Sequence, residues 1–375
     1  MVLFDVYPLY DITPVSARGV ILKDEKGQEY LDLYGGHAVI SIGHGHPHYV
    51  KRLKDQLDKI GFYSNAVQNP LQRQLAEKLG AMSNCDDYHL FLCNSGAEAN
   101  ENALKLASFH TGKSRVIAFK NSFHGRTSAA VATTDNPAIN APINQQQQVT
   151  FLPFEDRDAL AEELSKGDVC AVILETIQGV GGLDEPSPLF CKEVALLCKQ
   201  NGVVLIADEV QSGFGRSGKF FAFQHHDITP DIISIAKGMG NGFPVGGILI
   251  HPEIKAKYGL LGTTFGGNHL ACAATLAVLE VLEKENLIDN AADLGLYFEK
   301  CTRQIPHLKR VKGKGLMLGL EFDFEVAELR KNLILRQHIF TGSAKNKKVL
   351  RILPALNINK THLDTFITAL KQELE

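Results

Sequence analysis

The sequence predicts an α/β protein with a large domain, built on a mostly parallel sheet flanked by helices, and a smaller α+β domain. From about residue 88, short apolar runs alternate with longer amphipathic stretches, the order in which a parallel sheet and its crossover helices are laid down. Most of those runs are continuously apolar, as expected of strands buried on both faces. After residue 250 the pattern changes to long helices followed by two isolated strand-like segments.

Taken in order, the predicted strands of the large domain are 89–94, 115–119, 150–154, 170–175, 203–208, 232–236 and 246–250. Helical patterns at 97–110, 157–164 and 188–200 lie between them. Two further helices, 270–284 and 291–304, precede the strand-like GLMLGLEF (315–322) and VLRILPAL (349–356). A chain of 375 residues has room for two domains at about 150 residues each. The expected division is an N-terminal segment, 1–50, packing with the small domain; a large domain, 51–250; and a C-terminal small domain, 251–375. The QQQQ run at 145–148 follows Pro137 and Pro142 and reads as a solvated loop.

Composition removes several function classes. Lys plus Arg number 39 against 42 Asp plus Glu, so no basic surplus is available for a nucleic-acid backbone. The longest apolar run is Val169 to Leu174, far short of the roughly 20 residues that span a bilayer. The first residues, MVLFDVYPLYDITP, carry neither a basic nor an apolar leader region. Seven cysteines, with no CxxC pair, sit mostly in apolar stretches and suggest a reducing, cytoplasmic setting.

Three strand ends carry candidate chemistry. Ser95 and Glu98 in Asn94-Ser95-Gly96-Ala97-Glu98 spell a capping box; equally, the open helix N-terminus at Gly96 and Ala97 suits a phosphate. In VVLIADEVQSGFGRSG (203–218), an apolar strand ends in Asp208 and Glu209, placing a carboxylate at the sheet edge where α/β folds bind ligands. Gly213, Gly215 and Gly218 imitate a dinucleotide fingerprint, but no convincing helix follows them. In IISIAKG (232–238), Lys237 emerges at the same edge as Asp208. Partial desolvation there would make it a nucleophilic amine able to form a Schiff base; alternatively it snorkels to water. His44, His46 and His48 in GHGHPH lack accompanying Cys or carboxylate ligands and read as packed imidazoles rather than a metal site. Arg126 in FHGRT is either a surface ion pair or a carboxylate grip.

Eight segments in order, GGHAVISIGHGHP, NSGAEANENALKLA, SFHGRT, ETIQG, ADEVQSGFGRSG, IAKGMGNGFPVGG, TTFGGNHLA and VLRILPAL, resemble the class III, fold type I pyridoxal-phosphate aminotransferases. Within that class the chain is most similar to the acetylornithine aminotransferases of arginine biosynthesis. The resemblance implies pyridoxal 5′-phosphate as cofactor, with Lys237 carrying it as an imine and shuttling protons, and Asp208 pairing with the pyridine nitrogen. It further implies that Gln211 bonds the phenolic oxygen, that Phe123 and Val210 sandwich the ring, and that Ser95, Gly96 and Ala97 hold the phosphate. Thr264 would complete the phosphate site from the neighbouring subunit, making a homodimer with active sites at the subunit interface.

The implied reaction moves the δ-amino group of N-acetylornithine or N-succinylornithine to 2-oxoglutarate, giving the acylated glutamate semialdehyde and glutamate. Arg126 would hold the distal carboxylate and Arg351 the carboxylate beside the reacting carbon. Relatives often carry an acid after ETIQG that pairs with the C-terminal arginine, but here the position is Val180; Asp184 or Glu185 are candidate replacements. Alternatives of the same class act on ornithine or 4-aminobutyrate, a mutase or racemase is a more distant one, and the non-enzyme alternative is a catalytically dead binding dimer.

Overall fold

Valine, isoleucine and leucine crowd the strand segments because branched side chains pack well on a pleated surface. In the computed structural model, which describes residues 1–375, they build a seven-stranded sheet. Its spatial order is His89–Cys93, Gly246–Ile250, Ile232–Ile235, Val204–Asp208, Val169–Leu174, Arg115–Phe119 and Val149–Leu152. Gly246–Ile250 runs antiparallel to both its neighbours, and every other pairing is parallel.

The continuity of the apolar runs has a structural cause. Val116, Ala171, Ile173, Val204 and Ile206 pack in one core with Ala99, Ala103 and Ala107 of helix Gly96–Thr111. Their neighbours Ile117, Val172, Leu174 and Leu205 join a second core with Phe190 and Val194 of helix Pro188–Asn201. Successive side chains point to opposite faces, so a sheet covered on both sides needs an apolar residue at every position. Each fully buried aliphatic side chain contributes about 1.5–3 kcal/mol.

Most strands lie within one or two residues of the sequence expectation. The predicted 150–154 shortens to Val149–Leu152 because Pro153 has no N–H for the ladder. Helix Gly96–Thr111 is capped by the Ser95 side chain and ends at Gly112 in left-handed conformation. The predicted 291–304 is Leu287–Thr302. GLMLGLEF contains Met317–Phe322, whose antiparallel partner Leu308–Lys314 the sequence reading missed, and VLRILPAL contains Val349–Ile352.

The N-terminal region holds elements the apolar pattern did not reveal. Strands Pro14–Arg18, Ile21–Asp24 and Glu29–Asp32 form an antiparallel sheet that Ile339–Phe340 extends in parallel. Helices Pro47–Leu57 and Pro70–Ser83 pack on helix His269–Lys284. No helix is long and apolar enough to cross a membrane.

Candidate active site

Four parallel strands, and His89–Cys93 turned the same way across the antiparallel Gly246–Ile250, bring five carboxyl ends to one sheet edge, and the residues that follow line a cavity of about 390 Å³, within the range of small-molecule sites. Cys93 leads to Asn94, Ser95, Gly96 and Ala97; Phe119 leads to Phe123, His124 and Arg126. Leu174 leads to Glu175 and Val180, the Val204–Asp208 strand to Asp208, Val210 and Gln211, and Ile235 to Lys237. The structure thus gathers Ser95, Gly96, Ala97, Phe123, Arg126, Asp208, Val210, Gln211 and Lys237 around one space.

Asp208 is buried and held from three directions. Its Oδ2 accepts from Asn100 Nδ2 at 2.8 Å and pairs with His124 Nδ1 at 2.7 Å, while Oδ1 accepts from Val210 N at 3.0 Å. Its neighbour Glu209 turns away, accepting from Ser212 Oγ, Ala222 N and Phe223 N. Burial pushes the Glu209 carboxyl up to about 7.

Lys237 has φ of 47°, a left-handed conformation that lysine seldom adopts and that structures keep mainly at functional sites. Burial lowers its basicity, and the carboxylates of Asp208 and Glu175 partly oppose that effect. Glu175 in turn is raised above the ordinary carboxyl range, chiefly by burial. Its Oε1 accepts from Phe123 N and its Oε2 from Gly179 N, both at 2.9 Å.

The anticipated capping box is half formed. Ser95 Oγ accepts from Glu98 N at 3.2 Å, but Glu98 Oε2 accepts from Asn94 N and Nδ2 instead of returning to Ser95. The first-turn N–H groups of Gly96 and Ala97 therefore keep their donor capacity beside the cavity. Gly96 is required for a further reason: a Cβ there would lie 2.5 Å from Val210 Cγ1.

Two of the expected site residues lie off this cavity. Arg351 is buried behind Gln211, donating from Nη1 to Gly179 O at 2.9 Å and Gln211 Oε1 at 3.3 Å, and from Nε to Ser343 O. Burial lowers its basicity. Asp184 and Glu185, the candidate counter-charges, instead pair with Lys312 at 2.6 Å and Lys314 at 2.8 Å. Thr264 is exposed on the segment before helix His269–Lys284 and does not reach the cavity of its own chain.

The glycines and histidines singled out earlier have other surroundings. His44 pairs with Asp32, His46 with Glu285 and His48 with Glu280, three different acids. Gly218 permits close helix packing, since a Cβ there would lie 2.9 Å from Ala292 Cβ. Only a short 3-10 turn, Ala222–His225, follows the Gly213–Gly218 segment. Sequence reasoning missed Asn100, His124 and Glu175 as partners within the site. Asn100 had a legible signal, lying one helical turn after Gly96 and so on the same face.

The residues present suit a pyridoxal phosphate. Peptide N–H groups at a helix N-terminus offer an anion site, Phe123 and Val210 supply an aromatic and a branched aliphatic surface, and a fixed carboxylate and a lysine line the same space. Fold and cavity together are those of a fold type I pyridoxal-phosphate enzyme. The family model for class III aminotransferases matches residues 6–374. The acetylornithine aminotransferase of Bacillus subtilis (strain 168) is 40% identical over 99% of this chain and 97% of its own length. That of Methanosarcina mazei is 38% identical over 95% of this chain and 90% of its own. Among solved structures, the ornithine aminotransferase of Toxoplasma gondii ME49 superposes with a TM-score of 0.91 at 28% identity, covering 98% of this chain and 91% of that one. A Bacillus anthracis aminotransferase gives 0.91 at 25% identity, covering 100% and 96%. This chain belongs to the class III aminotransferase family; it is a pyridoxal-phosphate-dependent aminotransferase.

Proposed function

We propose that the enzyme transfers the δ-amino group of N-acetylornithine or N-succinylornithine to 2-oxoglutarate, yielding the acylated glutamate semialdehyde and glutamate for arginine biosynthesis. The observation that carries this reading is a pair of guanidiniums at the site, Arg126 at the cavity wall and Arg351 behind Gln211. The chain's ion pairs include neither. Two such forks suit an acceptor with two carboxylates. The names of the 38–40% identical relatives support the acylated donor.

Pyridoxal phosphate, when bound, supplies an aldehyde that takes up the amino group and a ring that draws electrons from the reacting carbon. The peptide N–H groups of Gly96 and Ala97, with the Ser95 hydroxyl, would hold its phosphate. Asp208, itself fixed by Asn100 and His124, would pair with the ring nitrogen and favour its protonated form. Phe123 and Val210, on the cavity wall, would hold the two ring faces, and the Gln211 amide would donate to the phenolic oxygen. Lys237 Nζ, its basicity lowered by burial, would take the proton from substrate Cδ and deliver it to the aldehyde-derived carbon across the bridging nitrogen. In the second half-reaction it runs the same transfer in reverse while Arg351 and Arg126 hold the two ends of 2-oxoglutarate.

The functional unit is a homodimer in which Thr264 serves the neighbouring subunit's phosphate site. Exposure of Thr264, Phe265 and Tyr258 on one segment supports this. The division into 1–50, 51–250 and 251–375 and a cytoplasmic location complete the reading; seven unbridged cysteines support the latter. A panel of N-acetylornithine, N-succinylornithine, ornithine and 4-aminobutyrate, each assayed with 2-oxoglutarate, tests the substrate assignment. The acylated amines should give the highest kcat/KM, because free ornithine places a cation where an amide should sit. A higher value for ornithine or 4-aminobutyrate overturns the assignment.

A further inference from the structure

Two loops bear on the arginines assigned to substrate: one contains Arg126, and the other bonds Arg351, which itself sits on strand Val349–Ile352. One, after strand Arg115–Phe119, presents Phe123 and Arg126; the other, after strand Val169–Leu174, contains Gly179, whose carbonyl accepts from Arg351 Nη1 at 2.9 Å. A single buried carboxylate joins them. Glu175 Oε1 takes the Phe123 N–H and Oε2 the Gly179 N–H, each at 2.9 Å, so neither oxygen is left to swing toward another partner. We infer that Glu175 is a positioning residue that sets the separation of the Arg126 and Arg351 forks and thereby the length of dicarboxylate the enzyme accepts.

The chemistry favours a carboxylate in this place. Two convergent N–H donors need two acceptor oxygens on one rigid plane, and a carboxylate supplies both without offering a competing donor. Burial strengthens each bond by excluding water. A glutamine retains one acceptor and turns an NH2 toward the other N–H, while an aspartate is one methylene too short to span both. The loops remain tied elsewhere, by Gln178 Nε2 to Lys120 O at 2.7 Å. Loss of the Glu175 bridge should therefore shift the loops without unfolding them.

The inference rests on the transaminase reading above and adds an asymmetry to it. The acylated amine carries no carboxylate at its reacting carbon and engages Arg126 alone through its α-carboxylate. 2-Oxoglutarate engages both forks and is sensitive to their spacing. The experiment compares wild type, Glu175→Gln and Glu175→Asp as holoenzymes, with oxaloacetate, 2-oxoglutarate and 2-oxoadipate as acceptors. Both variants should raise KM for 2-oxoglutarate about tenfold, the weight of one charge-assisted hydrogen bond. They should change KM for the amine less than threefold and flatten the preference among the three acceptor lengths. Equal losses for amine and acceptor, or an unchanged preference among acceptor lengths, overturn the positioning role. Absence of transamination in the wild type would instead overturn the underlying assignment.

Discussion

Burial acts on the ionisable groups of this site one by one, and several consequences are measurable. Lys237 is made less basic by its enclosure while Asp208 and Glu175 pull the other way. Lys237→Ala should abolish transamination and the visible absorbance of the bound cofactor; persistence of that absorbance would show another attachment. Arg351 meets two carbonyls and an amide oxygen but no acid, since Val180 stands where relatives often carry one. Asp184 and Glu185 are committed to Lys312 and Lys314, so on the proposed assignment selection of the amine falls to Arg126 and pocket shape. Val180→Glu should give Arg351 a counter-charge and raise the ratio of amine to 2-oxoglutarate specificity severalfold, about 1 kcal/mol of discrimination. An unchanged ratio in steady-state kinetics would defeat this account of the missing acid.

At the scale of elements, the strand Val204–Asp208 links core packing to chemistry. Ile206, with no exposed surface, sits two residues before Asp208, so its packing fixes the end from which the carboxylate projects. Ile206→Ala should cost about 2–5 kcal/mol, read as a lowered thermal midpoint of the apo-enzyme. His226, just past the turn Ala222–His225, is buried with both ring nitrogens unpartnered. Burial lowers its pKa from 6.5 to about 4. The unfolded chain therefore binds the extra proton first, and the contribution of this group erodes stability as pH falls from about 6.5 toward 4. His226→Leu, measured by denaturant unfolding across that window, should flatten the decline; an identical slope in both proteins would exclude His226 as its source.

For the whole molecule, the exposed segment bearing Tyr258, Thr264 and Phe265 makes assembly and cofactor retention one question. If Thr264 serves a neighbouring subunit, mixing Thr264→Ala and Lys237→Ala chains should rebuild one intact site per mixed dimer. The mixed dimers, once isolated, should show roughly half the wild-type activity at limiting cofactor, one site of two, by simple counting of subunits. No recovery on mixing, with mixed dimers verified by mass, would place Thr264 in service of its own chain or of none.

The order of buried strands, the residues at their ends and the family were legible in the sequence by itself. Continuous apolar runs admit few alternatives once both sheet faces are covered, and the motif residues at 94–97, 122–127, 207–211 and 237 follow those runs directly. The N-terminal strands escaped because PVSAR and EYLD carry no distinctive apolar period, and one of them is completed by Ile339–Phe340, over three hundred residues away. Tertiary structure alone decided that Glu209 turns away into bonds with Ser212, Ala222 and Phe223, and that His124 and Asn100 hold Asp208. It also decided that Arg351 lies among carbonyls without an acid. The partners of Asp208 lie more than eighty residues before it, on a helix and on a loop, and only the folded sheet brings them to one edge.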